Sequence, residues 1–238
     1  MSNPIQTISP ARLALAFIPV AIVIGVLFKW SVNAKTALYA MGRMLLQLVL
    51  IGYVLTFIFD SEQPAIVLGV LSFMLFVAAW IALRPLGKRD ARSYGRALLS
   101  ISIGGVFTLV LVTQDVLMAE PWYKPSVMIP LAGMIFANSM NALSLAAERF
   151  QAESERGASY EAARRAALNT ALIPLMNTLF AVGLVSLPGM MTGQILSGVP
   201  PLIAVRYQIM VMCMLFGAAG ISAAVYLVLL EPKPAASR

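Results

Sequence analysis

Eight polar side chains stand inside apolar stretches of this sequence: Arg43, Gln47, Asn138, Ser139, Asn141, Asn177, Thr178 and Gln208. In hydrocarbon surroundings such groups must face protein or water, so each either bonds to a neighbouring helix or lines a passage for polar cargo. Both readings stay open for every one of them. Asn138 and Asn141, three residues apart, share one helix face and are the first candidates for a path, with Gln47, Asn177 and Gln208 behind them. The chain also holds 14 methionines, and Met134, Met176, Met190, Met191 and Met210 gather in its second half. Thioethers bind soft metals, and they are equally ordinary adaptable packing in membrane helices.

Several chemistries lack their residues. The sequence has no His and one Cys, Cys213, which removes the usual zinc and copper sites and any Ser/His/Asp or Cys/His catalytic set. The metal ligands stay unassigned. No GxxxxGK[ST] motif occurs, so the chain does not bind ATP in the P-loop manner, and no carboxylate stands near the middle of an apolar segment to relay protons. The chain reads as a non-enzyme that binds no cofactor of its own, with energy supplied from outside. The acids Asp60, Glu62, Asp115 and Glu120 fall in loops, as attractors for cations or as plain loop charges.

Hydrophobic residues make up 60% of the 238 and charged ones only 11%, so the elements that position these groups are membrane helices. The expected fold is all-α and polytopic: one transmembrane domain over residues 1–238, about seven spans of roughly 20 residues each. They are expected at Ala11–Phe28, retained and not a signal peptide, Leu38–Phe59, Pro64–Leu83, Ala97–Leu117, Pro125–Ala147, Thr170–Leu187 and Ala204–Leu230. Pro19 is a possible kink in the first. With this layout 14 of the 17 Lys and Arg residues fall on one side, including Arg84, Lys88, Arg89, Arg92, Arg96, Lys233 and Arg238. That bias puts the N-terminus outside and the C-terminus in the cytosol. The net charge of +7 is topogenic in this reading, not a nucleic-acid surface.

One long polar stretch, Glu148 to Asn169, carries eight of the 27 charged residues and falls on the cytosolic side. Gly157 divides it, Ser159 stands as the N-cap of a second helix with Glu161 in its first turn, and Glu161 and Arg165 are an i,i+4 pair. A solvated helical loop and a docking element are both open readings. Pro188 to Pro201 contains three glycines, three prolines and no charge in 14 residues. It is too short to span, and reads either as a re-entrant hairpin at the membrane edge or as a tight connection.

Four blocks carry a resemblance: GRMLLQLVLIGYVL (Gly42 to Leu55), IPLAGMIFANSM (Ile129 to Met140), VGLVSLPGMMTGQILSG (Val182 to Gly198) and RYQIMV (Arg206 to Val211). Together they resemble the permease subunit of the Fet-type ABC iron exporters, a family that includes plant half-transporters linked to aluminium tolerance. The resemblance implies an inner-membrane permease, in a homodimer, exporting iron or a related metal with a separate cytosolic P-loop ATPase that binds ATP and Mg. It implies that Arg156, Gly157, Ala158, Ser159 and Glu161 couple to that ATPase. Asn138, Asn141, Met190 and Met191 would then line the path, with Gly189 and Gly193 permitting its bend. A small organic cargo such as a nucleotide sugar, or an ATP-independent channel or scaffold, are the alternatives.

Overall fold

Apolar runs bounded by proline and glycine fold as a succession of helices in the computed structural model, which describes residues 8–59, 63–86 and 90–230. Among the described residues, six helical stretches are long and apolar enough to cross a membrane: Pro10–Lys29, Ala34–Phe59, Pro64–Ala82, Ala91–Val116, Pro125–Glu155 and Pro201–Leu229. The protein is a polytopic helical membrane protein. Asp60, Glu62, Lys88, Arg89, Lys233 and Arg238 lie outside the described residues.

The chain divides at residues 60 and 61 into two units. The first contains α1 (Pro10–Leu15), α2 (Phe17–Lys29) and α3 (Ala34–Phe59). Ser9 caps α1 by accepting from the Arg12 backbone N–H. The interruption between α1 and α2 falls at Ala16. Pro19 explains it: the ring offers no N–H to the Leu15 carbonyl and crowds it, so the expected kink appears as a break one turn earlier. Arg43 and Gln47 are both exposed on α3.

The second unit contains α4 (Pro64–Ala82), α5 (Ala91–Ile101), α6 (Phe107–Val110), α7 (Pro125–Glu155), α8 (Tyr160–Ala181), α9 (Gly189–Leu196) and α10 (Pro201–Leu229). Before α5, the Ser93 hydroxyl hydrogen-bonds the exposed Asp90 carboxylate and holds it below the usual carboxylate range. Two wide π turns, Ser102–Val106 and Leu111–Val116, flank α6 and keep one continuous helix from Ala91 to Val116. The hydroxyls of Thr108 and Thr113 donate to the carbonyls of Gly104 and Leu109 at 2.7 and 2.8 Å, satisfying backbone that the π geometry loosens.

Small residues set the packing. Ala142 and Ala146 of α7, Ala167 and Ala171 of α8, and Ala219 and Ala223 of α10 form one buried seam closed by Leu175 and Leu227. With little side chain between them the three helices approach closely, which gains dispersion contacts where lipid offers no hydrophobic drive. Gly104 does the same for the first π turn. A Cβ on it would meet Ser222 Oγ and lie 2.7 Å from the Ala218 carbonyl oxygen and the Ser222 nitrogen.

The expected sixth span, Thr170–Leu187, is the one that differs. Its helix starts ten residues earlier, at Tyr160, and stops at Ala181, where Gly183 (φ +83°) turns the chain and the Ala181 carbonyl accepts from Leu184, Val185 and Ser186. Half of α8 is the polar stretch, so its composition does not mark it as a span. The Pro188–Pro201 segment, open to reading as a re-entrant hairpin or a tight connection, holds the eight-residue helix α9 followed by a turn at Gly198 (φ +90°).

Replacing Gly104 with Ala forces a methyl group against α10 backbone that has no rotamer to yield, and overpacking of this kind costs about 1–3 kcal/mol. Thermal unfolding in detergent is expected to show a lowered Tm for Gly104→Ala. Gly193→Ala, helical and with open space around its Cβ position, is expected to leave Tm unchanged or raised.

Candidate functional site

The polar stretch is the tip of a helical hairpin. α7 continues past its apolar part to Glu155, Arg156 closes it, and Gly157 (φ +84°) reverses the chain. The Ala158 N–H donates to the Glu153 carbonyl and the Gly157 N–H to the Ser154 carbonyl, both at 3.1 Å, the paired bonds of a Schellman cap. Ser159 then caps α8 by accepting from the Ala162 N–H at 3.3 Å. The expected N-cap is therefore present, with Glu161 in the first turn.

Charge at the tip is organised around Glu153, which pairs with Arg149 at 2.7 Å and with the exposed Arg156 at 3.4 Å. Among the described residues Glu161 and Arg165 form no ion pair, and both face outward. Arg164 instead lies over the Tyr160 ring, 5.4 Å from its centre, and the same ring meets Phe150 edge-on. The Tyr160 hydroxyl donates to the Leu227 carbonyl of α10 at 2.8 Å. Tyr160 thus fastens the tip to the third helix, a role that sequence reading missed. The only signal for it was an aromatic residue directly after the capping serine.

At mid-height, Asn138 and Asn141 line one cleft of about 90 Å³ with Pro174 and Thr178 of α8. Asn138 is half-buried and donates to the Met134 carbonyl at 2.9 Å, whereas Asn141 is exposed. Pro174 has no N–H for the Thr170 carbonyl, and the Thr178 hydroxyl donates to the Pro174 carbonyl at 2.9 Å. The cleft is thus rimmed by amide, hydroxyl and backbone oxygen. Its volume is that of roughly three waters.

At the opposite end from the tip, the segment Leu117–Lys124, the start of α7, α9 and the start of α10 border a half-open chamber of about 600 Å³. Met118, Met134, Met190 and Met210 line it with Glu120, Lys124, Ser126, Pro130 and Tyr207. Three of the five methionines singled out in the sequence come together here. Met191 faces a separate cavity of about 350 Å³ with Met212, Cys213 and Gln208. Gln208 is 6% exposed and its Oε1 has no hydrogen-bond partner.

The remaining candidates stand apart. Asn177 is exposed and lines none of these cavities, and Gln47 belongs to the first unit. Gly189 and Gly193 lie within α9 with open space at their Cβ positions, so neither bends the segment. Gly183 and Gly198, with positive φ on either side of α9, do that.

Gly157→Ala puts a Cβ on a left-handed residue, which costs about 1–2 kcal/mol, and Ser159→Ala removes a cap worth about 1 kcal/mol. Amide hydrogen exchange is expected to speed up across residues 150–165 in both variants while the buried parts of α7 and α10 keep their protection.

The pattern defining the "Uncharacterised protein family (UPF0014)" matches residues 10–233. The Probable iron export permease protein FetB of Escherichia coli is 35% identical over 225 residues, covering 88% of this chain and 85% of that protein. Protein ALUMINUM SENSITIVE 3 of Arabidopsis thaliana is 34% identical over 226 residues, covering 85% and 80%. A UPF0014 membrane protein of Synechocystis is 38% identical over 190 residues, covering 74% and 73%. No solved structure matches the chain. A family match across nearly the whole chain, with three such relatives, makes this protein a member of the UPF0014 family.

Proposed function

We propose that this chain is the membrane permease subunit of an ABC-type exporter in the inner membrane, moving iron or a related metal species with energy from a separate P-loop ATPase. The near full-length match to a protein named as an iron export permease carries this reading. Two permease copies and two ATPases, with ATP and Mg in the latter, would make the working assembly.

The geometry supports a seven-crossing topology. Met190 of α9 lines the same chamber as Leu117–Lys124, while α8 begins at the tip beside Leu227. α8 therefore traverses the second unit, its 22 residues reaching about 33 Å from the charged tip toward the other end. With α8 counted beside the six apolar stretches, the tip shares its side with Arg84, Arg92 and Arg96. The Lys and Arg excess on that side favours the cytosol for it.

The tip is the coupling element. Arg156 and Glu161 project from a turn fixed by Gly157, Ala158 and Ser159, in helices that continue to the Asn138–Asn141 cleft and the methionine chamber. The cleft's size and oxygen donors suit a small ion in passage. The chamber's volume falls in the range of small-molecule sites, which favours an organic cargo as the second reading. Against a nucleotide sugar, its two phosphates would meet a single lysine, Lys124.

A pull-down of the tagged protein from its native membrane in mild detergent is expected to recover a P-loop ATPase, and to lose it with Gly157→Trp. No ATPase with either, together with flux in vesicles that ignores ATP, would overturn the permease reading in favour of a channel or scaffold. Asn138→Leu with Asn141→Leu is expected to cut metal transport at least tenfold while the ATPase still copurifies. Unchanged transport would remove both from the path.

A further inference from the structure

Four of the 13 residues around the 600 Å³ chamber are methionine, against 14 of 238 in the whole chain. They come from separate pieces of backbone: Met118 from the segment after the second π turn, Met134 from α7, Met190 from α9 and Met210 from α10. Chance packing of one helix face does not produce such a convergence. We propose that this chamber is a soft-metal site, in which the thioethers of Met134, Met190 and Met210 coordinate a monovalent ion of the Cu(I) or Ag(I) class and Met118 stands at its rim.

The ligand chemistry selects that class. Thioethers are neutral and soft, and they hold Cu(I)-type ions where oxygen-seeking divalent ions gain little. The formal charges on the lining, Glu120 and Lys124, cancel. To the extent that an ion leaves water for this half-open chamber, it pays a solvation cost that rises with the square of its charge, and no net formal charge on the lining offsets it, so a singly charged ion is favoured over a doubly charged one. Methionine side chains have three rotatable bonds, which lets a thioether adapt its position to an ion.

Local structure is fixed where the rim ligand sits. Met118 has φ +47°, an uncommon conformation for a residue with a side chain. Backbone bonds from Leu117 to Val112, Ala119 to Thr113 and Lys124 to Pro121, each 2.9 Å, hold the segment in place. Strain persists only where surrounding structure imposes it, and here it brings a fourth thioether to the chamber mouth. Pro130, also in the wall, offers no N–H to the Ser126 carbonyl.

The site deepens the metal-export reading, on which its role as a station for outgoing cargo rests, but binding itself needs neither ATPase nor transport. The test uses the full chain in detergent with Cys213→Ser, because that exposed thiol would compete for the probe. Ag(I) is titrated as a redox-stable probe while methionine methyl groups are followed by NMR, assigned through single Met→Leu variants that conserve volume. One equivalent of Ag(I) is expected to shift the methyls of Met134, Met190 and Met210. Met134→Leu/Met190→Leu/Met210→Leu is expected to weaken binding at least tenfold with Tm retained; should the triple variant not fold, each single variant is expected to weaken binding severalfold. Shifts confined to Met191 and Met212, undiminished affinity in the folded variants, or tighter binding of Fe(II) than of Ag(I) would each overturn the assignment. None of these outcomes bears on whether an ATPase copurifies.

Discussion

The close approach of α7, α8 and α10 through alanine is the constraint from which the other features follow. Ala146, Ala167, Ala219 and Ala223 have no accessible surface at all. In water an alanine core would be a weak one, since each residue removes little apolar area. Within a bilayer, area is not the driving term. Helices there gain by packing atoms densely and by bringing backbones near each other, and alanine and glycine permit what leucine would prevent. Gly104, set directly on the α10 backbone, extends the same rule to the helix that carries the two π turns.

That seam joins the two ends of the second unit. α7 runs from the methionine chamber, past the Asn138–Asn141 cleft, to the charged tip; α10 runs from the chamber to the tip as well, and α8 from the tip past the cleft. Tyr160 ties the start of α8 to the end of α10, and the Schellman cap at Gly157 leaves the α7–α8 turn little conformational freedom. Packed interiors transmit displacement because they are dense. A rigid movement of the tip helices is therefore a movement of the walls of both cavities, since the same helices form them. No separate linkage between the tip and the two cavities is required by this architecture.

Much of this was legible in the sequence, and the exceptions share a cause. The capping serine, the dividing glycine and the shared face of Asn138 and Asn141 are local signals, fixed by spacing along one helix, and they survive in three dimensions. Signals that depend on neighbours did not. Glu161 and Arg165 have the spacing of a pair, yet Tyr160 draws Arg164 instead and leaves both open. The helix α8 reads as a polar stretch followed by a short span, because hydropathy averages over a single helix whose first half is polar. The glycines of α9 looked like hinges, but a glycine bends a chain only where φ requires it, and that occurs at Gly183 and Gly198. Which methionines meet was not readable at all: Met118 and Met210 are 92 residues apart, and only the fold brings them to one cavity.

The two cavities differ in the kind of selectivity they can exert. The Asn138–Asn141 cleft offers hard oxygen donors in a space of about 90 Å³, so it discriminates by size and by hydration. The chamber at the other end offers sulfur in a space more than six times larger, so it discriminates by softness and places almost no limit on size. An ion leaving the cleft for the chamber would exchange oxygen partners for thioethers that bind oxygen-seeking metals weakly. A neutral thioether is a weak partner for every metal except the soft ones that match it.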